Sequence, residues 1–160
     1  MVPPSYAAGM GIRLSEDEAW ALLDTAHTGI LTTLRADGTP VALPVWFVTD
    51  GRTICFSAPS GTKKVARVRR DPRASFLVES GLRWAELAAV HLDGDVAVVD
   101  DDVAAARIAS RLDEKYAAFR TAATSMPATA RQHYATRTLL RFVPRGRILS
   151  WDNSRMELTP

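Results

Sequence analysis

The chain has 160 residues, of which 47% are apolar, and its formal net charge is +2. A chain of this length ordinarily forms one domain with a buried core. Its single cysteine excludes a disulfide framework and is typical of a reducing compartment. No stretch of about 18 apolar residues occurs, which excludes a membrane-spanning helix, and residues 1–11 lack the basic and apolar runs of a secretion signal. We therefore expect a cytoplasmic protein with a flexible tail over residues 1–13 and a single domain over 14–160.

The first half of the chain predicts one helix followed by three antiparallel strands. Ser15 and Glu18 have the spacing of a capping box, and the apolar positions that follow indicate a helix to about Thr25. Strand-like runs then cover residues 28–34, 40–49 and 52–57. An Asp-Gly pair lies in each of the two turns between them, and glycine accepts the positive φ that a hairpin turn requires.

The second half predicts two further helices and several short strands. A helix over 62–70 ends at Asp71-Pro72, because the residue before proline is pushed out of helical geometry. A second helix is expected from the Asp100–Asp102 run to about Phe119, then a loop over 121–129 and a helical turn over 131–136. The predicted strands are 73–79, 84–91 and 95–99 (the last two joined by a turn at 93–94), 139–143 and 148–151. Many strands with a few outer helices predict an antiparallel β-barrel with flanking helices.

Basic residues are concentrated where a glycine-containing loop leads into the helix predicted over 62–70. Six of the eleven residues from 63 to 73 are Lys or Arg. The free amides of a helix N-terminus beside ammonium groups form an anion site, in which Thr62 either caps the helix or donates its hydroxyl to a phosphate. Lys63, Arg67 and Arg70 share one helix face, which suits a longer anionic tail. A solvated basic face is the alternative. A nucleic-acid patch is the weakest interpretation, because no aromatic residue interleaves with these charges.

The other reactive residue types give little support for catalysis. None of the three histidines has the spacing of a metal ligand, and no serine lies in a nucleophile elbow. Cys55 lies in a predicted strand, where we expect it to be a core residue. Trp46 and Trp84 lie in or beside predicted strands, where tryptophan serves either as core filler or as a stacking platform for a ring. No metal site and no catalytic residue are predicted.

Several short segments, taken together in their order and spacing, carry a family resemblance. They are GILTTL at 29–34 with DGTP at 37–40, PVWF at 44–47, Lys64 seven residues before DPR at 71–73, WAEL at 84–87, and SWD at 150–152. From about residue 28 to 152 the chain resembles the pyridoxamine-phosphate-oxidase-like split β-barrel proteins, which are FMN-binding-like in fold. It is most similar to their deazaflavin (coenzyme F420)-dependent oxidoreductase branch.

The resemblance implies a homodimer with each cofactor in a groove between two barrels. It implies that the cofactor ring rests near the second strand, that its phosphate meets Ser57, Thr62 and Lys64, and that Trp84 helps to wall the substrate pocket. The implied cofactor-binding residues are Pro44, Val45, Trp46, Phe47, Ser57, Thr62, Lys63, Lys64 and Arg67. The implied function is hydride transfer between F420 and a small organic substrate, with no nucleic-acid or membrane partner.

The sequence also departs from the family pattern. It lacks the Arg-x-Val-Leu-Leu-Lys phosphate motif and the C-terminal Trp/Arg signature of true pyridoxamine phosphate oxidases, which argues against vitamin B6 oxidation. Arg67 stands where many members of the F420 branch carry asparagine. Two alternatives keep the fold: an FMN-binding flavin oxidoreductase, and a non-catalytic module that holds a cofactor or a haem-like ligand.

Overall fold

Seven antiparallel strands and four α-helices make up the part of the chain that the computed structural model describes, residues 11–156. The strands are β1 (Gly29–Leu34), β2 (Pro40–Val45), β3 (Phe47–Asp50), β4 (Thr53–Pro59), β5 (Arg73–Ser80), β6 (Ala88–Val98) and β7 (Arg137–Asp152). The helices are α1 (Glu16–Thr25), α2 (Lys63–Arg70), α3 (Asp102–Tyr116) and α4 (Ala128–Tyr134). Short 3₁₀ turns lie at Trp84–Glu86, Ala117–Phe119, Ala123–Ser125 and Asn153–Arg155.

The order of the strands forces the sheet to curl. Its order is β2-β1-β5-β6-β7-β4-β3, so β2 and β3 are its two edges. Only Trp46 separates these edge strands in the chain, and two residues of extended chain span at most about 7 Å. The end of β2 must therefore lie next to the start of β3, which brings the two edges of the sheet together at a junction that we call the seam. Since β2 pairs with β1 and β3 pairs with β4, the described residues contain no ladder across this seam. The predicted split β-barrel with flanking helices is confirmed.

The prediction of a single strand over 40–49 is wrong, because the strand is interrupted at Trp46 and divides into β2 and β3. The Tyr116 hydroxyl of α3 lies at this break: it accepts a hydrogen bond from the Phe47 N–H (2.9 Å) and lies 2.8 Å from the His27 carbonyl oxygen, to which it can donate. The apolar pattern on both sides of Trp46 is continuous, so only this long-range contact distinguishes the two strands.

The turn predicted at Asp93-Gly94 is also wrong, because β6 runs straight through it. Gly94 lies under β7: a Cβ atom there would approach the Val143 carbonyl oxygen to 2.4 Å and the Phe142 ring to 2.7 Å. The glycine thus marks a close approach of two backbones instead of a turn. The segments predicted as 139–143 and 148–151 are likewise one strand, β7, which bulges where residues 146–148 oppose Leu92.

We expect Gly94→Ala to lower the free energy of unfolding by about 1–3 kcal/mol, since the added methyl group meets backbone that cannot move aside. Gly61→Ala is the matched control, because a Cβ atom at Gly61 meets nothing within 4 Å. Urea denaturation of both variants measures the difference. Equal stability of the two variants would contradict the close approach.

The main core fills the inside of the barrel. Its largest buried side chains include Phe47, Phe56, Phe76 and Phe142, and α1 and α2 add Leu23 and Val65 among others. The predicted start of α1 is confirmed: the Ser15 hydroxyl accepts from the Glu18 N–H, and the Glu18 carboxylate accepts from the Ser15 N–H. Helix α2 is confirmed within one residue of its predicted start.

A second, smaller core lies outside the barrel, where α3 covers β3 and β4. It consists of Val48, Cys55, Ile108, Leu112 and Tyr116. Burial raises the pKa of the Cys55 thiol, which keeps it protonated and unreactive. The prediction that Cys55 is a core residue is confirmed. This outer layer also places the C-terminal end of α3 beside the seam of the barrel.

The predicted boundaries of the domain fall partly outside the described residues. Residues 1–10 of the predicted tail and residues 157–160 lie there. Within the predicted tail, Ile12 is buried, and its carbonyl oxygen accepts a hydrogen bond of 2.8 Å from the Asp152 N–H. Between residues 11 and 156, no helix combines the length and the apolar character needed to cross a membrane.

Candidate functional site

The N-terminus of α2 holds a hydroxyl group without a partner. Thr62 precedes the helix, yet its side chain makes no capping hydrogen bond. Its Oγ1 atom is buried and has no hydrogen-bond partner among the described residues. A buried hydroxyl left unpaired costs roughly 1–3 kcal/mol. Of the two roles open to Thr62 from the sequence, capping is therefore wrong, and a ligand oxygen at the first turn of α2 would supply the missing partner.

Lys64, two residues after Thr62 in the first turn of α2, is a half-buried cation. Burial lowers the pKa of its ammonium group, and the Arg67 guanidinium lowers it further. No carboxylate lies within ion-pair distance of either side chain in the part of the chain described. Two neighbouring cations without a counter-charge favour the binding of an anion, because the anion offsets both their repulsion and their burial.

Arg67 and Arg70 are held toward the end of β1. The Arg67 Nε donates to the buried Thr33 hydroxyl (2.9 Å), and an Arg70 N–H donates to the Leu34 carbonyl oxygen (2.7 Å). Burial lowers the pKa of Arg67, and Arg35 and Arg70 lower it further. Lys63 is exposed. Arg67 stands where many members of the F420 branch carry asparagine. Its hydrogen bond to Thr33 holds it in place near Lys64.

A cavity of about 850 Å³ lies on the outer side of β4, between the end of α3 and α4. Ser57 and Pro59 reach it from β4, on the same side of the strand as Cys55, because successive strand side chains alternate between faces. Its lining residues are Trp46, Ser57, Pro59, Leu112, Tyr116, Phe119, Arg120, Thr121, Ala123, Met126, Arg131, Tyr134 and Arg137. The lining is aromatic and basic, and it contains no acidic residue.

Trp46 forms a fixed aromatic wall of this cavity. Its ring is parallel to that of Tyr116, with 4.5 Å between centroids, and His27 meets it edge-on at 5.9 Å. Tyr116 is itself fixed by its hydrogen bonds at the barrel seam. Trp46 remains 38% exposed. One face of its indole ring is therefore occupied, and the rest of the side chain can contact a planar ligand.

The cavity and the start of α2 are neighbours. Pro59 lines the cavity, and its carbonyl oxygen accepts a hydrogen bond of 3.1 Å from the Thr62 N–H. The loop between them is joined to β7, since the Ser60 and Thr138 hydroxyl groups are 3.0 Å apart. An anion site and a ring-sized cavity thus meet at one loop. This pairing fits a cofactor that has a phosphate and a planar ring.

The structure brings only some of the predicted site residues together. Trp46 and Ser57 line the cavity, whereas Thr62, Lys64 and Arg67 cluster at α2 with Lys63 exposed beside them. The Val45 and Phe47 side chains are buried in the core, so only their backbone can contact a ligand. Pro44 is exposed and pairs with Ile30 of β1.

Trp84, the predicted wall of the substrate pocket, is not at the cavity of its own chain. It lies in a 3₁₀ turn and is 60% exposed, and its carbonyl oxygen accepts from the Asn153 side-chain amide at 2.8 Å. The strand predicted to contain it begins only at Ala88. Conversely, sequence reasoning missed Arg120, Arg131 and Arg137, because Arg120 and Arg137 fall between predicted elements and Arg131 falls in a predicted helical turn.

Comparison with known proteins identifies relatives over most of the chain. A family model described as pyridoxamine 5'-phosphate oxidase matches residues 15–144. An F420H(2)-dependent biliverdin reductase from Mycobacterium tuberculosis is 38% identical over 88 residues, which cover 52% of this chain and 64% of the relative. That alignment therefore spans less than two thirds of the relative's length.

Solved structures agree with the fold. The crystal structure of Rv2991 from Mycobacterium tuberculosis is 28% identical, with a TM-score of 0.75, over 93% of this chain and 94% of that chain. A FAD-binding protein from Mesorhizobium loti is 20% identical, with a TM-score of 0.66, over 86% of this chain and 93% of that chain. The second likeness supports the fold alone.

Proposed function

Because the chain belongs to the pyridoxamine 5'-phosphate oxidase family of split β-barrel proteins, we propose that it is an oxidoreductase that uses the deazaflavin coenzyme F420 with a small organic substrate. The observation that carries the proposal is the pair of uncompensated cations, Lys64 and Arg67, beside the unpartnered Thr62 hydroxyl. The 38% identical relative, which is F420H(2)-dependent by name, supports the choice of cofactor. When bound, such a coenzyme supplies or accepts a hydride at its ring.

Each element of the site has a separate task in this proposal. Thr62 and Lys64 bind the phosphate, and the exposed Lys63 with Arg67 binds the anionic glutamate tail of F420. Trp46 and the backbone of residues 45–47 orient the ring beside the cavity. Orientation of two reactants in a partly enclosed site is the main contribution such a protein makes to the rate. We assign none of these side chains as a proton donor.

FMN is the competing cofactor for the same fold. One phosphate group requires fewer cations than the six that lie between residues 63 and 73. The tail of F420 accounts for the additional positive charge, which favours the deazaflavin. The comparison is testable because both cofactors carry a phosphate but only F420 carries glutamate.

The proposed activity is tested by mixing the protein with reduced F420 and an electron-poor acceptor and following the return of oxidised-cofactor absorbance. Biliverdin is the first acceptor to try, since a relative of this chain reduces it by name. We expect turnover with the wild type and with Arg69→Ala, which removes an exposed cation of α2 outside the proposed site, and much slower turnover with Lys64→Ala at a fixed low cofactor concentration. Turnover with reduced FMN alone would overturn the F420 proposal. F420 binding without reduction of any acceptor would favour the non-catalytic module.

The pKa of Lys64 gives a pH dependence for cofactor binding. In the free protein this pKa lies below the usual 10.5 because of burial and Arg67, and a bound phosphate raises it again. Affinity for F420 should therefore fall as the pH rises through the lowered pKa of the free protein, by at most tenfold per pH unit. Lys64→Arg, which stays charged, should show a flatter decline in the same titration. Identical pH profiles for the two proteins would contradict this role.

A homodimer is the proposed assembly. A row of side chains on the outer face crosses five strand segments: Pro44, Ile30, Leu77, His91 and Leu149. Its members are exposed or half-exposed, and Leu149 is 51% exposed. An apolar face of this kind suits contact with a second copy. We expect sedimentation to give twice the mass of one chain, and a monomer at all concentrations would contradict it.

A further inference from the structure

We propose that His27 is the proton donor that completes hydride transfer, placed at the rim of the cavity between the end of α3 and α4. The inference rests on the proposed function and deepens it by assigning a catalytic residue. When a hydride adds to one atom of a substrate double bond, the electron pair of that bond moves to the other atom, which then takes a proton. The imidazolium of His27 gives that proton and afterwards regains one from solvent, while both electrons come from the reduced coenzyme.

His27 packs against three rings of the cavity wall. Its imidazole meets the Phe119 ring edge-on at 4.5 Å between centroids, the Tyr116 ring at 5.3 Å and the Trp46 ring at 5.9 Å. All three of these rings line the cavity. The backbone of His27 is held as well, because its carbonyl oxygen lies 2.8 Å from the Tyr116 hydroxyl, which can donate to it. These contacts place the imidazole at the rim of the cavity, next to the proposed ring site at Trp46.

The imidazole of His27 is available for proton exchange. Neither of its nitrogens makes a hydrogen bond or an ion pair with a residue between 11 and 156, and the residue is exposed. Histidine is the side chain type that changes charge between pH 5 and 8. A proton donor must also regain its proton after each turnover, which contact with solvent allows. An imidazole held by aromatic contacts alone can therefore donate to a substrate atom and then be reprotonated.

The side chains that line the cavity in the described chain offer no equivalent donor. They include three arginines, which do not lose their protons, and no carboxylic acid. Burial raises the pKa of the Tyr116 hydroxyl, which is also hydrogen bonded at the seam. Lys115 donates to the Ala26 and Phe47 carbonyl oxygens and lines a second cavity, between α1 and α3. His27 is thus the group beside this cavity that is suited to give a proton near neutral pH.

The charged groups on the elements around His27 already have partners. The Asp24 carboxylate, at the end of α1, accepts a hydrogen bond from a threonine of β3. Arg120, next to the Phe119 ring, pairs with a carboxylate of α3 at 2.7 Å, and Lys115 is bound to backbone carbonyls. A rate change between pH 5 and 8 that depends on His27 therefore reports its imidazole.

The first test compares the pH–rate profiles of His27→Gln and His133→Gln, with reduced F420 and with biliverdin as the acceptor. His133 is the matched control, since it is also exposed but packs against a single ring of the wall, Tyr134, at 5.0 Å. We expect the wild type and His133→Gln to slow as the pH rises from 5 to 8. His27→Gln should be about 100-fold slower at the acid end and nearly independent of pH. Free imidazole in the buffer should restore activity to His27→Ala, because the position is open to solvent.

The second test needs no turnover. Diethyl pyrocarbonate modifies accessible imidazoles, and mass spectrometry reads the modification of His27 and His133 separately. We expect bound oxidised F420 to slow the modification of His27 severalfold, and to slow that of His133 less. Equal modification of His27 with and without bound F420 would remove it from the site.

The outcomes separate this inference from the proposed function. A pH profile of His27→Gln like that of the wild type would overturn the inference alone. So would a loss of activity in His27→Ala that imidazole does not restore while F420 binding is unchanged, since the residue would then be structural. Absence of F420 binding by the wild type would refute the proposed function, and the role of His27 with it, before any rate is measured.

Discussion

Lys64→Ala is expected to weaken F420 binding by about 1.5–3 kcal/mol, or about 10- to 150-fold in the dissociation constant. The reason is that the Lys64 ammonium is half-buried and lacks a carboxylate partner in the described structure, so a phosphate oxygen becomes its main counter-charge. A charge-assisted hydrogen bond in such surroundings is stronger than one at an exposed surface. Titration of the protein with the cofactor measures the change directly.

Lys63→Ala is the control for this prediction. Lys63 is exposed and precedes Lys64 in the same helical turn, so its removal changes the net charge equally but leaves the half-buried position filled. We expect a loss of severalfold at most, reduced further by salt. Equal losses of F420 affinity for the two variants would mean that the helix acts only through its overall charge. An unchanged affinity for Lys64→Ala would contradict a phosphate site at α2.

Phe76→Ala is expected to lower the free energy of unfolding by about 3–5 kcal/mol. The Phe76 ring is fully buried and lies between Phe47, at 4.9 Å between centroids, and Phe142, at 6.0 Å. These side chains come from β5, β3 and β7, so the ring joins strands that are distant in the sheet order. Urea denaturation at equilibrium measures the loss, which is large compared with the roughly 5–15 kcal/mol of a typical domain.

Gly29 offers an internal check on this packing. A Cβ atom on Gly29 would lie 2.2 Å from the tip of the Phe76 ring. Gly29→Ala should therefore lower the free energy of unfolding of the wild type. In the Phe76→Ala variant the same change should lower it much less, or even raise it. A double-mutant cycle should give a favourable coupling of at least about 1 kcal/mol. Additive effects would mean that the ring does not pack on Gly29.

The elements that were predicted correctly are those whose signals are local. The capping box at Ser15 and the Asp-Gly turns at 37–38 and 50–51 act over two to four residues, and the structure keeps these three features. The cations of α2 were also predictable as a cluster, since they occupy one continuous segment. What the sequence did not determine was whether Thr62 caps the helix, because that depends on the final position of its hydroxyl.

The features that were missed depend on residues far apart in the chain. The break at Trp46 is fixed by Tyr116, and Gly94 is explained by the passage of β7 over it. An Asp-Gly pair indicates a turn only where no neighbouring strand packs directly against the glycine. The cavity joins Trp46 to Arg137, which are 91 positions apart, and no local pattern connects them.

The most direct test of the proposed function is a titration of the purified, ligand-free protein with F420 and, separately, with FMN, followed by quenching of tryptophan fluorescence. Trp46 lies at the proposed ring site, so Trp46→Phe identifies the part of the signal that arises there. We expect saturable binding of F420 that is tighter than binding of FMN and is weakened by Lys64→Ala. Binding of FMN alone would place the protein with the flavin enzymes of its family, and binding of neither would contradict the cofactor site.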